Sequence, residues 1–308
     1  MSSHSEPTVR PNRRRPLRIL FLCLRESRIP VQVIFALRLL VAAALTGPAD
    51  RNPLSRSVLL GLVSWSCAVF FVYLLNGVTD VEEDRVNGSK RPIASGALST
   101  GEASFVARAA AVVALGCAAL HGVTLLVPLA LLLALGYGYS APGVAWKRRT
   151  PTAVGVVLAS GLLTYLAGHV VAQGSSGGRV RVVVFAVAMT AWMGLVGTLA
   201  KDFSDVEGDA AAGRRGVVVV RGARAARLLC GANALVVGGA FALCAALFVP
   251  ELLLPALAVC LGALCLVATL AWWRGGRAPR RPYRVFMATQ YSAHTTALVI
   301  ASDFGAVA

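Results

Sequence analysis

Long apolar stretches separated by short polar ones recur along the whole chain. Nine of them, approximately 31–46, 57–75, 103–120, 124–139, 153–171, 182–200, 225–248, 251–273 and 285–302, come near the about 20 residues an α-helix needs to cross a ~30 Å hydrocarbon layer. Some carry a charge, such as Arg38 in the first and Arg108 in the third. Periodicity inside an all-apolar span does not tell which side faces inward. The pattern predicts an all-α, polytopic membrane protein with about nine transmembrane helices. Residues 1–28 read as a basic, partly disordered tail and 29–308 as a single transmembrane domain.

The polar links settle the orientation expected. With the N-terminus in the cytoplasm, nine spans put nearly every basic cluster on that side: the tail, Arg85 to Arg91, Lys147 to Arg149, Lys201 to Arg227, and Arg274 to Arg284. Only Arg51, Arg56, Arg179 and Arg181 stand opposite. This is the positive-inside pattern, and it changes the meaning of the net charge of +16. The arginines follow loop topology and form no continuous stripe with interleaved aromatics, so nucleic-acid binding is excluded. Only 14% of residues are charged, where a soluble domain carries about a quarter; the missing charge is surface that meets membrane lipid. The segment before Val31 is too polar to hold the apolar core of a signal peptide. Six of the seven cysteines lie inside spans without C-x-x-C spacing and read as small apolar packing residues. His121, His169 and His294, at or within spans, read the same way.

Against this background the acids stand out. Eight of 14 fall in two segments, N-G-V-T-D-V-E-E-D from Asn76 and K-D-F-S-D-V-E-G-D from Lys201. Each follows an apolar span, the second and the sixth, and both emerge on the cytoplasmic side. If the spans continue as helices, Asn76, Asp80 and Asp84 share one face, and Asp202, Asp205 and Asp209 another. Carboxylates so gathered raise one another's pKa unless a cation intervenes, and oxygen ligands completed by water and phosphate suit magnesium. A cation or solute transporter also places acids in membrane helices, but near the midplane; here they sit at span ends on one side.

These residues resemble the UbiA superfamily of intramembrane prenyltransferases. Asn76, Asp80 and Asp84 match its N-D-x-x-D-x-x-x-D signature, and R-P-I-A-S-G from Arg91 to Gly96 its R-P-I-x-S-G. Y-S-A-P-G-V-A-W-K from Tyr139 to Lys147 is similar to Y-S-x-P-x-x-x-K, and Asp205 and Asp209 match D-x-x-x-D. The longer D-F-S-D-V-E-G-D is similar to the chlorophyll-synthase and homogentisate-prenyltransferase branch. One position departs: Gly77 stands where the family usually has Asp. The resemblance implies helices around a central apolar chamber and Mg2+ held by Asp80, Asp84, Asp205 and Asp209, with Asn76 and Asp202 beside them. It also implies an isoprenyl diphosphate bound by Arg91, Lys147 and Lys90, a hydrogen bond from Tyr139, and an aromatic or other lipophilic acceptor. A terpene cyclase of the same fold, ionising the diphosphate without an acceptor, is the alternative.

Overall fold

The computed structural model describes residues 15–47, 55–172, 178–211, 213–272 and 280–303, and these form helices and turns. In chain order the elements are α1 (Arg15–Glu26), α2 (Ile29–Thr46), α3 (Arg56–Thr79), α4 (Val81–Val86), α5 (Thr100–His121), α6 (Val123–Ser140) and α7 (Thr150–Val171). Then come α8 (Arg179–Ala191), a π-helical turn (Trp192–Gly197), α9 (Thr198–Asp202), α10 (Val206–Ala211), α11 (Val217–Phe248), α12 (Leu253–Trp272) and α13 (Arg281–Asp303).

Eight of these, counting α8 to α9 as one continuous span and adding the turn Pro250–Leu252 to α12, are long and apolar enough to cross a membrane. The ninth expected span forms α13, 23 residues long, which packs on α12 and α2. It carries Arg284, Gln290 and His294 and falls short of the same apolarity. The first 14 residues of the expected tail lie outside the described ones, but 15–26 form a helix. Leu17, Leu20, Phe21 and Leu24 of α1 are exposed, while Cys23 is buried against Leu74, Ile93 and Leu98. A one-sided apolar surface on a short basic helix belongs at a membrane interface.

Between helices in lipid there is no hydrophobic driving force, so close approach depends on small side chains. On α5, Ala103, Ala107, Ala110, Ala114 and Ala118 form one buried face that lies against α3, while Phe105, Val112 and Leu120 point outward. A capping box starts α5, with the Glu102 backbone N–H donating to Ser99 Oγ at 3.1 Å. Only Gly122, at φ 130°, separates α5 from α6; a Cβ-bearing residue resists that backbone, so the glycine permits the reversal. One core joins α2 to α7 with α3, α5 and α6, and another joins α8 to α13. The three expected packing histidines all find partners. His121 Nε2 lies 2.8 Å from Ser57 Oγ, His169 Nδ1 2.9 Å from Thr46 Oγ1, and His294 Nε2 2.7 Å from the Tyr165 hydroxyl.

Candidate active site at the cleft and chamber

Neither acidic segment continues its span as one straight helix, contrary to the premise of the shared-face argument. α3 stops at Thr79, and Asp80, at φ −102° and ψ 14°, both ends α3 and begins α4. The backbone bonds still step by four, from Asp80 N to Asn76 O at 2.9 Å and from Asp84 N to Asp80 O at 2.8 Å, so Asn76, Asp80 and Asp84 keep their succession through a bend. In the second segment α9 ends at Asp202 and α10 begins at Val206. There the Asp205 N–H reaches back only three residues, to Asp202 O, and Asp205 faces a different space from Asp202 and Asp209.

The two segments meet. Arg214, in the loop after α10, places Nη2 3.2 Å from Asp80 Oδ2 and on Glu83, and Nη1 3.3 Å from Asp209 Oδ1. The Gly208 N–H donates to Asn87 Oδ1 at 2.8 Å. One guanidinium thus spans carboxylates that lie more than a hundred residues apart. Lys147 donates to Asp80, and Asn76 Nδ2 donates to Asp80 Oδ2 at 2.9 Å. Lys201 Nζ lies 3.0 Å from Asp205 Oδ2, and Arg91 Nη1 donates to Asp84 Oδ2 at 2.6 Å. Burial would raise Asp80 and Asp205, but Lys147 with Arg214, and Lys201, outweigh it and hold both below the usual carboxylate range. For Asp209 and Glu83 burial wins, and their carboxyls are pushed up.

The sequence-predicted residues divide among three adjoining spaces. A charge-lined cleft of about 620 Å³ takes Asp84 of the first segment, Lys90 and Arg91 after it, and Lys201, Asp205 and Arg28. A second cavity of about 200 Å³ takes Tyr139, Lys147, Asp202 and Asp209, with Arg214. The third is a chamber of about 200 Å³ between the helices, lined by Asn76 and Tyr139 and by Ile34, Phe35, Val69, Leu132 and Met193. Arg28, Val31, Lys201, Tyr283 and Met287 line both cleft and chamber, so the charged and the apolar space adjoin.

Among the described residues no three carboxylate, imidazole or thiolate groups lie close enough to hold a metal ion unaided. The donor set nevertheless fits a hard divalent cation that takes one or two carboxylates and completes its shell with phosphate and water: Asp84 and Asp205 face one cleft from different segments, each already balanced by a side-chain cation. Four charged residues here escaped the sequence reading. Arg28, Lys201 and Arg214 looked like topological anchors, and Glu26 looked like part of the tail. The one signal for them is their nearness to span ends. Backbone geometry marks the place as well: Arg28 (φ 60°) and Ala145 (φ 37°) are the non-glycine residues with left-handed backbone among those described. Each costs about 1–2 kcal/mol. One turns α1 into α2 beside the cleft; the other starts the short turn that carries Lys147. The π-helical turn bends the register of the sixth span just before Lys201, and such turns gather at functional sites.

The fold has known counterparts. The chain is similar to a UbiA homolog from Archaeoglobus fulgidus bound to GPP and Mg2+, with TM-score 0.68 and 18% identity over 93% of this chain and 100% of that one. It is also similar to a UbiA homolog from Aeropyrum pernix K1 (TM-score 0.61, 19% identity, 86% of this chain and 96% of that one). A digeranylgeranylglyceryl phosphate synthase gives TM-score 0.64 and 15% identity, over 92% and 99%. At such identities the likeness is one of fold. No curated protein sequence matches the chain. The model of the UbiA prenyltransferase family matches residues 34–291, a stretch that contains both acidic segments and most residues lining the chamber, and the chain belongs to that family as an integral membrane protein.

Proposed function

We propose that this protein transfers a prenyl group from an isoprenyl diphosphate to an aromatic or other lipophilic acceptor, releasing pyrophosphate in a Mg2+-dependent reaction. The observation that carries the reading is that a cation-lined cleft and an apolar chamber adjoin, with Arg28 and Lys201 lining both. A molecule with a charged head and a hydrocarbon tail fills both without exposing either end to the wrong medium. The A. fulgidus homolog bound to GPP and Mg2+ supports the same class of donor.

Asp80, Asp84, Asp205 and Asp209 would hold the metal, with Asn76 and Asp202 beside them. Bound there, Mg2+ supplies Lewis-acid neutralisation of the diphosphate oxygens. Arg28, Lys90, Arg91 and Lys201 add charge-assisted bonds at the cleft, and Lys147 and Tyr139 reach in from the neighbouring cavity. As the allylic C–O bond breaks, its electron pair leaves with pyrophosphate, and these cations balance the charge gained. The apolar chamber walls keep water from the allylic cation. The acceptor's electron pair then forms the new bond to carbon, and the acceptor loses its proton. The D-F-S-D-V-E-G-D stretch favours a place near the chlorophyll-synthase and homogentisate-prenyltransferase branch, and the basic residues flanking these helix ends favour a cytoplasmic face of the cell membrane.

The test is incubation of the purified protein with GPP, Mg2+ and a panel of ring-bearing acceptors, followed by mass spectrometry and pyrophosphate assay. Prenylated acceptor is the expected product. A cyclised hydrocarbon or alcohol formed without acceptor would move the assignment to a cyclase, and no ionisation of any allylic diphosphate would overturn it.

A further inference from the structure

Gly77 follows Asn76 on the last turn of α3, and what lies above it comes from another helix. A Cβ at position 77 would collide with Glu26 Oε1, and would lie 3.1 Å from Glu26 Cδ and 2.9 Å from Arg91 Nη2. The volume in which a side chain at 77 would begin is therefore filled by the carboxylate at the end of α1. Glu26 is fully buried. Its Oε1 forms an ion pair with Arg91 Nη2 at 2.7 Å, its Oε2 accepts from Ile93 N at 2.9 Å, and its backbone carbonyl accepts from Arg91 Nη2 at 2.9 Å. The other arm of Arg91 holds Asp84. Nothing local favours an acid here: residue 26 closes α1 at the end where the helix dipole disfavours negative charge, and a buried carboxylate is costly unless paired.

We infer that Glu26 and Gly77 are a matched pair, in which α1 supplies across space the carboxylate that the resembled motif carries at position 77. Glu26 is then a positioning residue: it fixes the guanidinium of Arg91, and through it Asp84, at the wall of the cleft. That role rests on the diphosphate-binding function proposed for Arg91. It makes α1 a working part of the site, with Gly77 retained because any side chain there collides with Glu26.

The decisive experiment is a reciprocal exchange in the full-length protein: Glu26→Ala, Gly77→Asp and the double variant. Melting temperature in detergent reads the pairing without reference to any reaction. Each single change is expected to lower it. The double should recover most of the loss, because truncating the glutamate makes room for the introduced aspartate beside Arg91. Recovery of folded protein only in the double variant carries the same meaning. Losses that simply add overturn the pairing. The positioning role is read from Glu26→Gln, which keeps the shape. Its KM for the isoprenyl diphosphate should rise on the order of 10–100-fold with kcat much less affected, and the double exchange should bring KM back. A coupled melting temperature with unchanged KM reduces Glu26 to a structural tie and overturns that role. If the wild type turns over no isoprenyl diphosphate, the proposed function falls, while the melting exchange still decides the pairing.

Discussion

Lys147 reaches Asp80 from across 67 residues of sequence, donating to its carboxylate and to Thr79 Oγ1 at 3.1 Å. Both residues are 7% exposed. Removing one partner of a buried pair costs about 3–5 kcal/mol when the other charge is left uncompensated, and less here, since Arg214 and Asn76 remain on Asp80. Lys147→Ala should therefore lower stability in detergent by several degrees and abolish most prenyl transfer. Lys147→Arg, which keeps the charge but changes its geometry, should melt close to wild type and still lose activity. Equal activity in Lys147→Arg and wild type would restrict Lys147 to holding Asp80 in place.

Arg214 is the joint between the halves of the site. It touches Asp80, Glu83 and Asp209, so Arg214→Ala leaves three carboxylates facing one another without it. A loss of about 3 kcal/mol or more is expected, and part of it should return when Glu83→Ala is added, since that removes one of the repelling charges. A double-mutant cycle on melting temperature measures this coupling. Strict additivity would mean that Arg214 does not act as the bridge.

These counter-ions explain how far the sequence could be read. Asp80, Asp84, Asp205 and Asp209 stand out in the sequence because an acid directly after an apolar span has few innocent explanations in a membrane. Their partners do not: Arg214 sits beside Arg215 in a basic loop, and position alone cannot separate a cation that fixes topology from one that fixes a carboxylate. The bends at Asp80 and at residues 203–205 were missed because backbone geometry at a span end is set by contacts such as that of Asn87 with Gly208, 121 residues away in sequence. α1 was missed because its apolar run, Ile19 to Leu24, is only six residues long between charged flanks and resembles a tail until Leu74 and Ile93 are seen beneath it. Chamber walls were hidden for a simpler reason, since every face of an all-apolar helix looks alike.

Helix spacing gives a test confined to packing. On α7, a Cβ at Gly168 would run into the Leu39 carbonyl oxygen and meet Ala42 Cβ at 2.6 Å. The first of these is backbone and cannot rotate aside, so α2 and α7 must separate. Gly168→Ala should cost about 1–3 kcal/mol. Gly155→Ala on the same helix meets nothing within 4 Å and should be neutral, or slightly stabilising by helix propensity. Thermal unfolding of the two variants in one detergent compares them directly, and a neutral Gly168→Ala would show that the two helices do not pack this closely.

Deep in the chamber the polar chemistry returns. Arg38 is 1% exposed, lies with its guanidinium 4.8 Å from the Phe35 ring centroid, and donates from Nη2 to Gln290 Oε1 at 2.7 Å. Together with Gln290 it forms a polar floor to an apolar space, and a prenyl tail long enough to reach it must cover a charge. Arg38→Leu removes the buried charge but leaves Gln290 Oε1 without its donor, so the net change in stability should be small. The deeper chamber should shift kcat/KM toward longer isoprenyl diphosphates by about tenfold or more, measured across a chain-length series. Gln290→Leu leaves the guanidinium without its acceptor and should instead destabilise by about 1–3 kcal/mol with little change in chain preference. If Arg38→Leu proves as destabilising as Gln290→Leu and selects the same chain lengths as wild type, the pair is a structural tie and the floor of the chamber lies elsewhere.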